Sequence, residues 1–473
     1  MIPLSLKEIA AAVHGRLAGG ADPDAIALGA STDSRSVEAF DLFVAVVGER
    51  HDAHDHAAEA IASGAVAVLA SRELDLPCVV VDDTVAALGR LARAVLELLP
   101  DVVVVGVTGS SGKTSTKDLL AQVLPSYGRT LAPEGSFNTE VGLPMTALRL
   151  EPRTRVLVAE MGARGVGHIR YLCGITPPRI GVVLNVGSAH VGEFGSREAI
   201  AEAKGELVEC LPHAGDGGIA VLNADDALVR AMRTRTTARV VTYGENVHAD
   251  VRADLVDLDA DGRPSFDLCH FGRRARVSLA LHGRHHVSNA LAVAAVALSL
   301  GLDLDEVAHA LSRAVPASRW RMEVTRTPAG ATVVNDAYNA NPESVRAALE
   351  ALVTMGRPAA DRGARRTVAV LGEMRELGDR SVPEHEEIGR IAVRLGVGRL
   401  VLVGDSAEVR AIGDAALDED PSYAVVRVPD VAAAVDHLAT TVHDHDVVLV
   451  KASRGVALER VADGLLRSVG VAS

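Results

Sequence analysis

The segment 102–117, VVVVGVTGSSGKTSTK, sets narrow limits on the fold of this chain. A continuous apolar run leads into a Gly/Ser turn, and a Lys-Thr pair then opens a segment with helical character. Uninterrupted Val/Ile/Leu runs are typical of parallel strands that are buried on both faces. The segment therefore predicts a buried strand, a tight turn and a helix that begins near Lys113, which together indicate an α/β domain.

The turn has the chemistry of a phosphate-binding loop. Backbone amides and the positive N-terminus of a helix attract phosphate oxygens, and glycines allow the close approach. Lys113 would neutralise phosphate charge, and the Thr114 hydroxyl would reach Mg²⁺. The spacing departs from the usual pattern because Val107 stands where a glycine is expected, so a glycine-rich turn without a ligand is the alternative. The predicted loop residues are Gly109, Ser110, Ser111, Gly112, Lys113, Thr114 and Ser115.

Three units follow from the pattern along the chain, which has 473 residues. Residues 1–98 alternate short strands with a helical stretch and predict a small mixed α/β domain. Residues 99–315 predict a central domain with a P-loop-type parallel sheet and helices on both faces, followed by a polar, alternating stretch at 249–281 that suits antiparallel strands. Residues 316–473 repeat the strand–helix rhythm and predict a C-terminal Rossmann-like domain.

Composition excludes several classes of protein. A net charge of -14 disfavours general nucleic-acid binding, which depends on neutralising phosphates. The four cysteines have no C-x-x-C spacing, so a disulfide framework or zinc ribbon is not expected and a reducing cytoplasm fits. The longest apolar stretch, 290–302, is too short to span a bilayer. We therefore predict a cytoplasmic protein without membrane insertion.

Two candidate metal ligands follow predicted strands of the central sheet. Glu160 ends the strand RVLVAE, and His190 comes shortly after the strand IGVVLN. The carboxyl ends of parallel strands line the ligand crevice of such sheets, and a carboxylate there suits Mg²⁺. The alternatives are a loop-capping glutamate and a structural histidine.

Lys204 lies on the apolar stripe of a predicted helix, REAIAEAKGELVEC. It is four residues from both Ile200 and Val208, so it shares their face. Burying an ammonium group there is costly unless the group is paired or chemically altered. The alternative is a lysine that snorkels to solvent.

Together these segments resemble the Mur ligases. The resemblance covers nearly the whole chain, and YNANP and LGEMRELGD resemble in particular the branch that adds D-alanyl-D-alanine. Two positions depart from the family pattern: Asn335 replaces an aspartate and His286 replaces an asparagine. The motifs include TGSSGKTS (108–115), SFNTEVGLP (136–144), AEMGARGVGHI (159–169), LNVGSAHVGEFGS (184–196), HGRHHVSNALA (282–292), NDAYNANPESVRAAL (335–349), LGEMRELGDRS (371–381) and LVKASRGVALERV (449–461).

The resemblance implies an ATP-dependent ligase that uses Mg²⁺ and joins D-alanyl-D-alanine to UDP-N-acetylmuramoyl-tripeptide through an acyl phosphate. The third residue of the acceptor can be meso-diaminopimelate or lysine, and a monomer is implied. Lys113, Glu160, His190 and Lys204 are the implied catalytic residues, with Lys204 carbamylated as a further metal ligand. The implied ATP contacts beyond the loop are Asn289, Arg321 and Asp336, and the implied substrate contacts are Ser31, Ser34, Arg35, Asn138, Thr139, Asn339 and Asn341.

Three alternatives remain at this stage. Folylpolyglutamate synthetase shares the phosphate loop but lacks an N-terminal domain like that of STDSR (31–35). Mur ligases that add single amino acids are closer rivals, and a non-catalytic nucleotide-binding protein belongs to another class. HDAHDH (51–56) is also a weak candidate for a zinc site.

Overall fold

The computed structural model describes residues 1–48, 51–187, 191–359 and 363–468. Three main sheets succeed one another along the described chain and confirm the predicted α/β class. Each sheet falls within one of the predicted units, 1–98, 99–315 and 316–473. The exact boundaries of these units stay a prediction.

The first unit packs helices against a small sheet whose order is β2-β7-β6-β5-β4. Ser5 begins the first helix with a capping box: its hydroxyl accepts from the Glu8 amide while the Glu8 carboxylate accepts from Ser5. The predicted helix at 57–64 is present but ends at Ala62. The elements are β1 Leu4–Ser5, α1 Leu6–Val13, β2 Arg16–Ala18, β3 Ile26–Ala27, β4 Gly29–Ser31, β5 Asp41–Val44, α2 Ala57–Ala62, β6 Ala67–Ala70, β7 Cys78–Val80 and α3 Thr84–Glu97.

The central sheet has the order β16-β15-β14-β13-β12-β11-β8-β10-β9. Its β8–β13 part is parallel, and the predicted antiparallel strands of 249–281 extend one edge. The elements are β8 Val103–Thr108, α4 Lys113–Val123, β9 Thr130–Leu131, α5 Gly142–Ala147, β10 Val156–Glu160, α6 His168–Ile175, β11 Ile180–Val183, α7 Val191–Phe194, α8 Arg197–Glu209, β12 Ile219–Asn223, α9 Ala227–Ala231, β13 Arg239–Gly244, β14 Val251–Leu258, β15 Pro264–His270, β16 Arg273–Ser278, α10 His286–Ser299 and α11 Leu304–Arg313.

The C-terminal sheet has the order β17-β18-β22-β19-β20-β21, with parallel pairing from β18 to β21. Asn341 caps its first helix through a bond from the Ser344 amide, and Pro342 occupies the first turn. The elements are β17 Glu323–Arg326, β18 Thr332–Asn335, α12 Pro342–Gly356, β19 Thr367–Leu371, α13 Ser381–Leu395, β20 Arg399–Val403, α14 Ala407–Glu419, β21 Val425–Val428, α15 Val431–Thr441, β22 Val447–Lys451 and α16 Glu459–Ser468.

The core is made of small aliphatic side chains, because aromatic residues are only 3% of the chain. Ala, Val and Leu from strands and helices interdigitate on both faces of the central and C-terminal sheets. Within the described residues, we find no helix that combines the length and apolar character needed to cross a membrane.

Candidate active site

The phosphate loop lies at the carboxyl end of β8, between two parallel neighbours. β10 and β11 pair with β8 on either side, and Glu160 at the end of β10 is in register with Val107. This strand order brings Glu160 beside the loop, although 46 residues separate it from Thr114. The helix predicted near Lys113 begins at that residue and runs to Val123.

The loop is held by the segment that follows β11. Asn185 accepts from the Ser111 amide at 2.9 Å and donates to the Ser111 carbonyl at 3.2 Å. The Ser110 hydroxyl accepts from the Gly187 amide at 2.9 Å. The Ser110 and Ser111 amides are both engaged by Asn185. These bonds fix the loop backbone, so its remaining amides are preorganised for an anion.

Gly112 permits the sharp turn that opens α4. Its φ of +81° is a left-handed conformation, and a Cβ at this position would stand 2.6 Å from Asn289 Oδ1. A side chain here would therefore strain the loop and displace Asn289.

We expect Gly112→Ala to weaken ATP binding at least tenfold and to cost about 1–3 kcal/mol in stability. Isothermal titration with ATP and a thermal melt measure the two effects. Gly174→Ala in α6 is the matched control, because nothing lies within 4 Å of its added Cβ, and it should be neutral or slightly stabilising. Equal ATP affinity in the Gly112→Ala and Gly174→Ala proteins would contradict this role for Gly112.

A polar cluster surrounds Glu160. The Thr114 hydroxyl donates to Glu160 Oε2 at 3.2 Å, and Asn138 Nδ2 donates to Oε1 at 2.8 Å. Arg321 Nη2, from the C-terminal side, donates to Thr114 Oγ1 at 3.1 Å and to Ser136 Oγ at 3.3 Å. Residues far apart in sequence thus meet at one point beside the loop.

Two buried lysines face this cluster. Lys113 donates to the Gly109 carbonyl at 2.6 Å, and burial lowers its pKa, with Glu160 opposing and Arg321 adding to the shift. Burial drives the pKa of Lys204 well below the lysine range, and Lys113 lowers it further. Lys204 is only 4% exposed. Burial therefore disfavours the charged form of this amine.

The opposite wall centres on an ion pair between the buried Lys451 and the partly buried Asp336. Lys451 Nζ donates to Asp336 Oδ2 at 2.6 Å and to the Asn339 carbonyl at 2.9 Å, while the Met322 amide donates to Asp336 Oδ1 at 3.1 Å. The pair arises because β18 and β22 are parallel neighbours that end together. Asp336, which follows β18, thereby connects its own segment to those of Met322 and Lys451.

We expect Lys451→Met to destabilise the C-terminal unit by about 3 kcal/mol, because it leaves the partly buried Asp336 carboxylate without its cationic partner. Urea unfolding followed through Trp320, the one tryptophan of the chain, measures the change. The double variant Lys451→Met/Asp336→Asn should recover more than half of the loss. A loss in the double variant as large as in the single one would argue against the ion pair as the cause.

One cavity of about 930 Å³ contains both walls. The phosphate loop, Glu160, Lys204 and Asn289 line the central side, and Arg321, Asp336 and Asn339 line the C-terminal side. A cavity of this size suits a ligand at least as large as a nucleotide.

Comparisons with known proteins match all three units. Residues 29–97 match the catalytic domain of the Mur ligase family, residues 107–297 the Mur ligase middle domain, and residues 320–454 the glutamate ligase domain of Mur ligases. The chain belongs to the Mur ligase family. Its fold is therefore that of a Mur ligase.

Similar relatives span nearly the full length of this Mur ligase. UDP-N-acetylmuramoyl-tripeptide--D-alanyl-D-alanine ligase from Mycobacterium tuberculosis is 45% identical, with 98% of each chain covered. The enzyme of that name from Escherichia coli is 35% identical, with 98% of this chain and 99% of that one covered. MurF from Acinetobacter baumannii has a TM-score of 0.87 at 31% identity, covering 98% of this chain and 99% of that one.

A solved relative also carries a nucleotide. MurF ligase from Thermotoga maritima in complex with ADP is 32% identical, with a TM-score of 0.80, and covers 93% of this chain and 97% of that one.

Most site residues predicted from the sequence of this Mur ligase meet in the cavity. Gly109 does not line it, but its carbonyl holds Lys113. Asn341 lines the cavity while its Oδ1 caps α12. His190 lies outside the described residues. The predicted residues that line the cavity are Ser110, Ser111, Gly112, Lys113, Thr114, Ser115, Asn138, Thr139, Glu160, Lys204, Asn289, Arg321, Asp336, Asn339 and Asn341.

The predicted contacts in the N-terminal unit of this Mur ligase do not line that cavity. Ser31 Oγ donates to the Asp33 carbonyl at 2.9 Å, and Ser34 Oγ donates to Glu59 Oε2 at 2.9 Å. Arg35 pairs with Asp33 through both Nε and Nη2 and is largely exposed. Their predicted role at a separate part of the substrate stays a prediction.

The zinc alternative has no support in the described residues of this Mur ligase. His54 uses both ring nitrogens in hydrogen bonds, to Asp52 Oδ1 at 2.5 Å and from the Ser71 amide at 2.9 Å. No group of three His, Cys, Asp or Glu side chains arranged for a metal is found in the described ranges.

Sequence reasoning missed several residues of the site. Lys451, Ser136 and His285 line the cavity, and His285 Nδ1 is buried without a hydrogen-bond partner in the described structure. Burial lowers the pKa of His285 to about 4, so its ring is neutral at physiological pH. Lys451 stood in the quoted motif LVKASRG, but only the pairing of β18 with β22 shows that it meets Asp336.

Proposed function

We propose that this Mur ligase joins D-alanyl-D-alanine to UDP-N-acetylmuramoyl-tripeptide with ATP, forming the pentapeptide precursor of peptidoglycan. The observation that carries the proposal is the shared cavity, in which the phosphate loop faces Arg321 and Asp336 of the C-terminal unit. Relatives that bear this activity in their names align over nearly the whole length of the chain.

The proposed reaction has two steps. The γ-phosphoryl group of ATP passes to an oxygen of the terminal tripeptide carboxylate, and ADP leaves. The neutral amine of the dipeptide then attacks the acyl carbon, an amide bond forms, the amine loses a proton, and phosphate leaves with one former carboxylate oxygen. Charge neutralisation is the main requirement, because two anions must meet.

The side chains supply this neutralisation from two directions. Lys113 and the loop amides face the phosphates from the central sheet, and Arg321 approaches Thr114 from the C-terminal unit. The Tyr338 ring supports the Arg321 guanidinium from 3.9 Å, which fixes its orientation. These groups would stabilise the oxygens of the transferred phosphoryl group.

Mg²⁺ fits the donors beside the loop. Thr114 and Glu160 offer a hydroxyl and a carboxylate within 3.2 Å of each other, and Mg²⁺ is commonly bound by one or two carboxylates together with substrate phosphates. Thr114 and Glu160 would hold the ion, with His190 proposed as a further ligand. When bound, the ion would offset phosphate charge.

We also propose that Lys204 is carbamylated. A buried cation next to Lys113 is unfavourable, and the lowered pKa increases the share of the neutral amine, which is the form that reacts with CO₂. The carbamate would convert this repulsion into attraction and add an oxygen donor near Glu160.

The other proposed contacts follow from the family resemblance. Asn289 and Asp336 would contact the nucleoside of ATP, and Asn138, Thr139, Asn339 and Asn341 would contact the acceptor near its reacting carboxylate. Ser31, Ser34 and Arg35 would hold the uridine diphosphate end in the N-terminal unit. We propose a cytoplasmic protein, in keeping with the four unpaired cysteines, and a monomer, as the family resemblance implies.

Phosphate release with Mg-ATP and UDP-N-acetylmuramoyl-tripeptide tests the proposal. We expect release that depends on D-alanyl-D-alanine and is at least a hundredfold slower with D-alanine alone. Release with a single amino acid and a shorter acceptor would instead indicate a Mur ligase that adds single residues. Absence of release with every acceptor would favour a non-catalytic nucleotide-binding protein.

A further inference from the structure

Two cysteines on neighbouring helices of the central unit take no part in the chemistry described above. Cys173 lies in α6 and is 4% exposed, whereas Cys210 directly follows α8 and is partly exposed. The Cys173 thiol donates a hydrogen bond to the Cys210 sulfur. Two thiols in contact can close a disulfide, whereas an isolated buried thiol is inert.

The packing of α6 on α8 brings the two thiols together. The Glu206 carboxylate in α8 accepts from the Gly167 amide and, at 3.0 Å, from the Arg170 amide at the start of α6. Cys173 is three residues beyond Arg170, so it lies one turn further along the same face of α6. Cys210 is four residues beyond Glu206 and extends the matching face of α8.

The surroundings make the two thiols unequal. The hydrogen bond from Cys173 lowers the pKa of Cys210, burial opposes this shift, and the Arg170 guanidinium adds to it. The same hydrogen bond, together with burial, raises the pKa of the Cys173 thiol. Arg170 is held in place because its Nη2 pairs with Glu209 Oε2 at 2.7 Å. Cys210 is therefore the accessible partner that forms a thiolate, and Cys173 is the buried thiol behind it.

The remaining two cysteines have different neighbours. Cys78 Sγ lies 4.0 Å from the Leu74 carbonyl, and Cys269 Sγ donates to Asp254 Oδ2 at 3.5 Å. Burial and the Asp254 carboxylate raise the pKa of the Cys269 thiol. These thiols are bonded to oxygen atoms, which cannot close a disulfide, so they provide internal controls within the same chain.

We propose that Cys210 and Cys173 form a site of reversible oxidation by peroxides, with Cys210 as the attacking thiol and Cys173 as the resolving thiol. The Cys210 thiolate attacks one oxygen of hydrogen peroxide, the O–O bond breaks, and the leaving hydroxide takes up a proton to become water. The Cys173 sulfur then attacks the Cys210 sulfenic acid: the S–S bond forms, the S–O bond breaks, and the hydroxyl leaves with the Cys173 proton as a second water. Two thiols are oxidised and one peroxide is reduced.

The resolving thiol protects Cys210 from irreversible damage. A sulfenic acid that meets no thiol is oxidised further to sulfinic acid, which thiols do not reduce. A sulfinate at Cys210 would place a new negative charge beside Glu206 and Glu209, at the end of the helix that carries Lys204. Because Cys173 already contacts Cys210, closing an S–S bond of about 2.05 Å needs only a small approach of α6 and α8.

The test treats the purified full-length protein with hydrogen peroxide and measures intact and peptide masses before and after reduction with dithiothreitol. We expect the wild type to lose about 2 Da, to yield a peptide pair joined through Cys173 and Cys210, and to regain both thiols on reduction. Cys173→Ser should instead gain about 32 Da at Cys210 and keep this mass after reduction. Cys210→Ser should leave the buried Cys173 unmodified.

Cys269→Ser is the matched control, because it removes another buried thiol outside the pair. Its protein should form the disulfide at the wild-type rate. Peroxide treatment that leaves the wild type without the joined peptides would overturn the proposal, and this measurement needs no variant to fold. A Cys173→Ser protein whose Cys210 resists sulfinic acid as well as the wild type does would also overturn it.

Discussion

Replacing Lys113 by alanine should reduce kcat about 10³-fold, with the protein still folded. Lys113 lies in the first turn of α4, and its amine nitrogen is 2.6 Å from the carbonyl of Gly109, the first residue of the loop. Removing one preorganised positive group from a phosphoryl-transfer site typically costs two to five orders of magnitude in rate, so about 10³ is a central expectation. Single-turnover phosphate release with saturating substrates measures the effect.

Lys7→Ala provides the control for the loss of a lysine. Lys7 is an exposed residue of α1 in the N-terminal unit, far from the loop in the fold. Its variant should keep wild-type kcat. A Lys113→Ala protein that retained more than about a tenth of wild-type kcat would refute the proposed role, since even one lost donor costs about 10².

Replacing Lys204 by arginine should abolish activity nearly as completely as replacing it by alanine, with losses of about 10²–10³. Arginine keeps a positive charge but cannot form the carbamate, whereas a simple cationic role would be rescued by it. In the wild type, activity should fall in buffer freed of CO₂ and return when bicarbonate is added. Labelling with ¹³C-bicarbonate and NMR should detect the carbamate directly.

The same proposal fixes the direction of the pH dependence. Burial and Lys113 lower the pKa of Lys204, so the amine is neutral above that lowered pKa and protonated below it. Carbamate forms only from the neutral amine, so activity should decline as the pH falls through this range. Full activity of Lys204→Arg, or activity independent of CO₂, would refute carbamylation.

The sequence predicts local features of this site well, because short segments carry their own physical signals. The strand, turn and helix of 102–117 were predicted from an apolar run, two glycines and a Lys-Thr pair, and each is present. Lys204 was predicted to be buried from its helical spacing alone, and it is. Glu160 was placed at a strand end that proves to be next to β8.

The order of strands was beyond such reasoning. β8 lies between β10 and β11, and β22 lies between β18 and β19, through crossovers that no local pattern specifies. The sequence therefore did not indicate Lys451 as a site residue, although it predicted its partner Asp336 as an ATP contact. The bonding of Asn341 to Ser344 was also hidden, because an asparagine before a proline suits a helix cap and a ligand contact equally well.

The most direct test of the proposed ligation traces oxygen atoms from the acceptor carboxylate into the released phosphate. UDP-N-acetylmuramoyl-tripeptide labelled with ¹⁸O in its terminal carboxylate is incubated with the wild type, Mg-ATP and D-alanyl-D-alanine, and the products are analysed by mass spectrometry. We expect the pentapeptide to form with one ¹⁸O retained at the new amide and the other carried away in phosphate. A pentapeptide formed with unlabelled phosphate, or ATP hydrolysis without pentapeptide, would contradict the ligase that we propose.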